Sequence, residues 1–136
     1  MSKPIPSVQK YMTTSPHTVG TDQTLAHAHA VLREHKIRHL PVLRGGELVG
    51  MLTSRDLALI ESLKDVDPAE VLVEDAMSSE VYTISPDAPL DEVVREMAAK
   101  KYGSAVIMQN HHVVGIFTTV DACDAFGDLL QSRLAK

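Results

Sequence analysis

Apolar positions along this chain follow two rhythms in a fixed order, and that order occurs twice. Leu25, Ala28 and Leu32 recur at the three-and-four spacing of a helix with one buried face, and Leu90, Val93 or Val94, and Met97 repeat it. A short strand is expected before each helix, at Thr18-Val19 and at Tyr82-Thr83-Ile84. Two apolar runs around a polar turn follow each one. The first set is Leu40 to Leu43, the turn Arg44-Gly45-Gly46-Glu47, and Leu48 to Leu52. The second is Ala105 to Met108, the turn Gln109-Asn110-His111-His112, and Val113 to Phe117. Glycine and Asn in these turns supply the positive φ angles of a tight hairpin. A further helix is expected after Thr53 and after Thr118. Asp22 and Asp87, just ahead of the first helices, are candidates to take up their free N–H groups.

The recurrence is a duplication. A shift of 65 residues aligns the chain with itself without a gap and gives ten identities in the fifty pairs from Val8. Average residue usage would give roughly three. Val8 meets Val73, Met12 meets Met77, Asp22 meets Asp87, Lys36 meets Lys101, and Val49-Gly50 meets Val114-Gly115. The β-α-β-β-α order predicts the α/β (α+β) class, with repeats over 8–64 and 73–134 and a linker over 65–72, in the polar stretch that begins at Lys64. About sixty residues with two helices cannot cover both faces of a sheet. The repeats are therefore expected to pack sheet to sheet with pseudo-two-fold symmetry, leaving a crevice. Ala122, Ala125, Phe126, Leu129, Leu130 and Leu134 line one side of the last helix, and core is the expected role of that stripe, ahead of a dimer face.

Composition narrows the classes. At 136 residues and 44% hydrophobic, the chain suits one compact domain or two small units, not a disordered segment. The longest run of large apolar residues and Ala is four, as in Leu57 to Ile60, which is too short for a membrane span. The opening Met1-Ser2-Lys3-Pro4-Ile5-Pro6 has no apolar stretch, and the lone Cys123 has no internal partner, so a cytoplasmic protein is expected, with Cys123 as a small buried residue. A net charge of −5, no Trp and no basic stripe argue against nucleic-acid binding.

The chemistry sits where each hairpin ends. Gly50-Met51-Leu52-Thr53-Ser54-Arg55-Asp56 is echoed by Gly115-Ile116-Phe117-Thr118-Thr119-Val120-Asp121. Thr-x-x-Asp at a strand-to-helix junction is a capping box, which needs no ligand. The same groups also suit a nucleotide: helix N–H groups and the Thr hydroxyl meet phosphate, and a carboxylate accepts both hydroxyls of a ribose. Arg55 adds a forked donor, and Gly50 and Gly115 would let a planar base approach the backbone. No P-loop, Gly-x-Ser-x-Gly elbow or Cys-x-x-Cys is present, so no enzyme activity is expected.

The Met-x-x-x-x-x-Thr-Val opening, the His-Leu-Pro-Val strand and the Gly-x-x-Thr-x-x-Asp close, each with its counterpart, resemble a tandem pair of cystathionine-β-synthase-type (CBS) domains. The resemblance runs from about Val8 to Phe126, and Val73-Glu74-Asp75-Ala76-Met77 looks like the lead-in to the second domain. It implies a regulatory module with two clefts for adenosine-containing ligands such as AMP, ADP, ATP or S-adenosylmethionine, serving energy sensing. On that resemblance Asp56 and Asp121 hold ribose, and Thr53 and Thr118 touch phosphate or ribose. The base pockets map onto Thr18-Val19 with His39-Leu40-Pro41, and onto Thr83-Ile84 with Ser104-Ala105-Val106. A separate effector protein and a homodimer are also implied.

The two sets differ. Val120 stands for Arg55, Gly103 for Arg38, Ser104 for His39 and Val106 for Pro41, so the first set is expected to prefer phosphorylated ligands and the second to be empty or less charged. The seven His residues form no recognisable ligand set; magnesium is expected only with a nucleotide's phosphates, and no other cofactor. The rival reading is a constitutive protein-interaction scaffold with unoccupied clefts.

Overall fold

The computed structural model describes residues 4–134. They form two compact units, each with its own core: His17–Val81, and the segment up to Pro16 together with the chain from Tyr82 onward.

In the first unit, β2 (Val19–Gly20) pairs parallel with β3 (His39–Arg44), which pairs antiparallel with β4 (Glu47–Thr53). Helices α1 (Leu25–His35) and α2 (Ser54–Glu61) complete it. In the second, β5 (Thr83–Ile84), β6 (Ser104–Gln109) and β7 (His112–Thr118) repeat that sheet, with α3 (Leu90–Lys100) and α4 (Thr119–Leu134). There β7 also pairs on its far side with β1 (Thr13–Thr14), so this sheet has four strands in the order β1-β7-β6-β5 and the first has three.

Period-two alternation sorts the strand residues. Leu40, Val42 and Leu52 join Leu25, Ala28, Leu32, Leu57 and Val73 in the first core. Ala105, Ile107 and Phe117 join Val8, Val93 and Met97 in the second. The hairpin turns have consecutive positive φ angles, 59° and 86° at Gly45 and Gly46 and 53° and 65° at Asn110 and His111. His111 is held in the same left-handed region that Gly46 occupies freely.

The lead-in of each repeat belongs to the other repeat's unit. Val8 lies in the core of Phe117, and Val73 in the core of Leu52. Both lead-ins make a short 3-10 turn, at Val8–Lys10 and Val73–Asp75. The compact units therefore differ from the sequence repeats 8–64 and 73–134. The stretch over 65–72 is likewise more than a linker, because Pro68 and Val71 carbonyls accept from the Ala26 and Leu25 N–H groups at 3.1 and 2.9 Å. In the other unit the Leu90 N–H donates to Pro6 O at 2.9 Å.

Those carbonyls correct the expected caps. Thr24, not Asp22, is the N-cap of α1 and accepts from the His27 N–H at 3.2 Å. α3 starts after Pro89 with no side-chain cap, and Asp87 accepts instead from the Ser85 hydroxyl. Backbone oxygens from the lead-ins satisfy donors that a carboxylate would otherwise take.

The α4 stripe is not core along its length. Ala122 packs against the second core, but Val120, Phe126 and Leu129 are 65%, 59% and 48% exposed and Leu130 is exposed with them. The side chain of Leu134 lies outside the described residues. Cys123 is exposed rather than buried, because it lies among the uncovered apolar residues of the same helix, one turn from Val120 and Phe126.

Candidate functional site

In the first unit the junction of β4 and α2 is a closed capping box. The Thr53 N–H and hydroxyl both donate to Asp56 Oδ2 at 2.9 Å, and the Asp56 N–H donates back to Thr53 Oγ1 at 3.2 Å. Asp56 Oδ1 takes no hydrogen bond among the described residues. Arg55, in the first turn of α2, is exposed. The second unit repeats the box at β7 and α4. The Thr118 N–H and hydroxyl donate to Asp121 Oδ2 at 2.9 and 3.3 Å, and the Asp121 N–H donates to Thr118 Oγ1 at 3.4 Å.

Register gathers part of the sequence-derived set. His39 lies opposite Thr53, and the Ser54 N–H donates to the Arg38 carbonyl at 3.0 Å, so Arg38, His39, Thr53 and Asp56 share one end of the sheet. Ser104 lies opposite Thr118, and the Thr119 N–H donates to the Gly103 carbonyl at 3.3 Å. Val19 pairs with Val42, next in β3 to Pro41, and Thr83 pairs with Val106. Leu40, Val19 and Ala105 commit their side chains to the cores. Pro41 and Val106, also buried, alternate with the core residues and so belong to the opposite faces of their sheets. Ile84 is half-buried against the second core.

Two depressions in the first unit lie outside its capping box. One of about 440 Å³ follows the hairpin end, touching Thr18, Val19, Asp22, Arg44 and Gly46. The other, about 330 Å³, lies between α1 and α2, where His29 bonds Glu61 and Arg33 donates to His29 Nε2 at 2.7 Å. Neither gathers His39 with Thr53 and Asp56. Among the described residues no group of three or more His, Cys, Asp or Glu side chains is placed to hold a metal.

Gly50 and Gly115 serve a different purpose from the one expected. A Cβ on Gly50 would stand 2.5 Å from Met77 Sδ and 2.8 Å from the Ser78 carbonyl oxygen. One on Gly115 would stand 2.5 Å from Met12 Sδ and 3.1 Å from the Thr13 oxygen. The lead-in methionines fill the space that a base was expected to use. The sequence signal was present: Met12 and Met77 are among the ten identities, as are the two glycines.

Burial and the neighbouring Arg38 hold the His39 imidazole below its ordinary pKa, while the Asp56 carboxylate pulls it the other way. Folding thus favours neutral His39. Its contribution to stability is full above the unfolded value of about 6.5 and is lost as pH falls through 6.5 to the lower folded value, because the unfolded chain takes the proton first. Between pH 7.5 and 5, wild type should lose more unfolding temperature than His39→Gln; parallel curves would disprove the assignment.

Two units built on one β-α-β-β-α plan, each closing on a Thr-x-x-Asp capping box, define a tandem-repeat module. The CBS domain family model matches residues 1–61 and 73–128, and the chain belongs to that family. The CBS domain-containing protein YhcV of Bacillus subtilis is 31% identical over 130 residues, which cover 96% of this chain and 87% of YhcV. The AcuB structure from Vibrio cholerae superposes with a TM-score of 0.85 at 26% identity, covering 97% of this chain and 98% of that one. The CBS domain pair of protein MJ0100, in complex with 5′-methylthioadenosine and S-adenosyl-L-methionine, gives 0.83 at 29% identity, covering 93% and 99%. Of two longer relatives named as enzymes the chain spans 24%, so CBS pairs also occur as parts of larger proteins. No described helix is long and apolar enough to cross a membrane.

Proposed function

We propose that this chain is a regulatory ligand-sensing module for an adenosine-containing small molecule: AMP, ADP, ATP or S-adenosylmethionine. The observation that carries the reading is the half-used carboxylate of Asp56. Its Oδ2 is pinned by Thr53 while Oδ1 takes no hydrogen bond among the described residues, next in sequence to the exposed Arg55 at a helix N-terminus. A diol fits the open oxygen, and an anionic group fits the guanidinium and helix end. The MJ0100 complex supports this ligand class.

In this reading Asp56 takes the ribose, Thr53 and Arg55 the charged end, and Thr18, Val19, His39 and Pro41 with the Leu40 backbone the base. The Thr83, Ile84, Ser104, Ala105, Val106, Thr118 and Asp121 set takes a less charged ligand or none. Magnesium enters only with nucleotide phosphates. Binding shifts an equilibrium between states by its difference in affinity for them, and an effector protein reads the shift in the cytoplasm. The exposed apolar residues of α4 supply a surface for a homodimer.

Thermal unfolding with AMP, ADP, ATP, S-adenosylmethionine, 5′-methylthioadenosine and NAD, each with and without magnesium, tests the reading. A ligand at one hundred times its Kd adds about 2.7 kcal/mol, which raises the midpoint by roughly 5–15 °C at this size. No shift with any of them would favour the second reading, a constitutive interaction scaffold docking through α4, for which the Thr-x-x-Asp boxes only cap helices.

A further inference from the structure

The two carboxylates are not equally free. Asp121 has a third donor that Asp56 lacks among the described residues: the Thr13 hydroxyl donates to Asp121 Oδ1 at 3.3 Å and to Oδ2 at 3.4 Å. Thr13 is placed there by β1, which pairs it with Ile116 on the outer edge of β7. Its counterpart one repeat later is Ser78, which forms a single bridge to Met51 and extends no strand. The Ser78 hydroxyl points elsewhere and accepts from the Glu80 N–H at 3.3 Å. So the same lead-in position closes one carboxylate and leaves the other open.

The geometry points to Thr13 as a specificity-determining residue: we propose that its hydroxyl occupies the oxygen of Asp121 that a ribose would need, keeping the second set unoccupied while the first binds. The inference rests on the adenosine-ligand reading of Asp56 and adds a cause for unequal occupancy. Missing positive charge at Val120 weakens attraction for phosphate but leaves a diol unaffected. An occupied carboxylate acts on the diol itself. The two bonds are long and exposed, so the block is a competition that a ligand must win rather than a wall.

Isothermal titration of the full chain with AMP and with S-adenosylmethionine tests this in wild type, Thr13→Val, Thr13→Ser and Thr13→Val combined with Asp121→Ala. Valine keeps the β-branched shape that β1 needs and replaces the hydroxyl with a methyl group, which cannot hydrogen-bond to the carboxylate. Wild type should bind one equivalent per chain. Thr13→Val should add a second event, or tighten a weak one by about tenfold, the lower end for one hydrogen bond to an ionised group. Thr13→Ser should behave as wild type, and the double variant should return to one equivalent. One equivalent in wild type and still one in Thr13→Val would overturn the role of Thr13 and leave the ligand reading standing. A second event that weakens in Thr13→Val would do the same, marking the hydroxyl as a support for Asp121. No heat from any protein with either probe would overturn both.

Discussion

Asp56→Ala will lose the ligand-dependent rise in unfolding temperature, with affinity falling by about a hundredfold or more. That is the loss expected when two hydroxyls of a ribose no longer meet an ionised acceptor. The variant will also unfold more easily without ligand, by about 1–2 kcal/mol, because Asp56 accepts the Thr53 N–H in the capping box. The two effects need separating. Thr24→Ala removes another helix cap, on α1, with no carboxylate involved. It should cost a similar amount of stability and leave the ligand shift intact. If both variants lose stability and neither loses the shift, Asp56 is a cap and nothing more. Asp56→Asn refines the test: it keeps an acceptor for the Thr53 N–H but not the charge, so most of the fold stability should survive while binding falls.

Phe117→Ala should produce the largest loss of fold stability, about 3–5 kcal/mol by urea unfolding. Phe117 is fully buried among Val8, Val93, Met97, Ala105 and Ile107, so its truncation removes the largest side chain of that core. That cost is a sizeable part of the roughly 5–15 kcal/mol that holds a typical domain together. Leu52 occupies the same place 65 residues earlier and is as deeply buried. Leu52→Ala should cost about 2–5 kcal/mol in the core it shares with Leu40 and Val73. A loss below about 1 kcal/mol at Phe117 would contradict its place in the core.

What the sequence made legible was local. Each Thr-x-x-Asp box closes over three residues, so spacing alone located Thr53 with Asp56 and Thr118 with Asp121. The hairpins were equally plain, because a period of two and a Gly-Gly or Asn-His turn determine which residues oppose one another. The illegible parts depend on distant chain. The first donors of α1 and α3 could not be assigned from Asp22 and Asp87, because the Leu25 and Leu90 N–H groups go to the carbonyls of Val71 and Pro6. A repeat of 65 residues says that Val8 and Val73 are equivalent, but not which copy each packs against. The α4 pattern likewise showed that Phe126 and Leu129 share an apolar side, while periodicity carries no information on whether that side is covered. Thr13 left no signal at all, since its partner Asp121 lies 108 residues away.

The exchange of lead-ins also sets a timetable for synthesis. All of His17–Val81 has been made by residue 81, so the first unit can close while the rest of the chain is still being translated. The opening segment cannot. Val8 needs Ala88, and Thr13 needs Ile116, so a segment made before the first unit finds its place only after that unit is complete. Until then Val8 and Met12 stay without their partners, and the eventual closure spans most of the chain, a long-range step that slows folding. A pause or a premature stop ahead of β7 would therefore leave a finished first unit with Thr13 and Met12 still without their partners on β7.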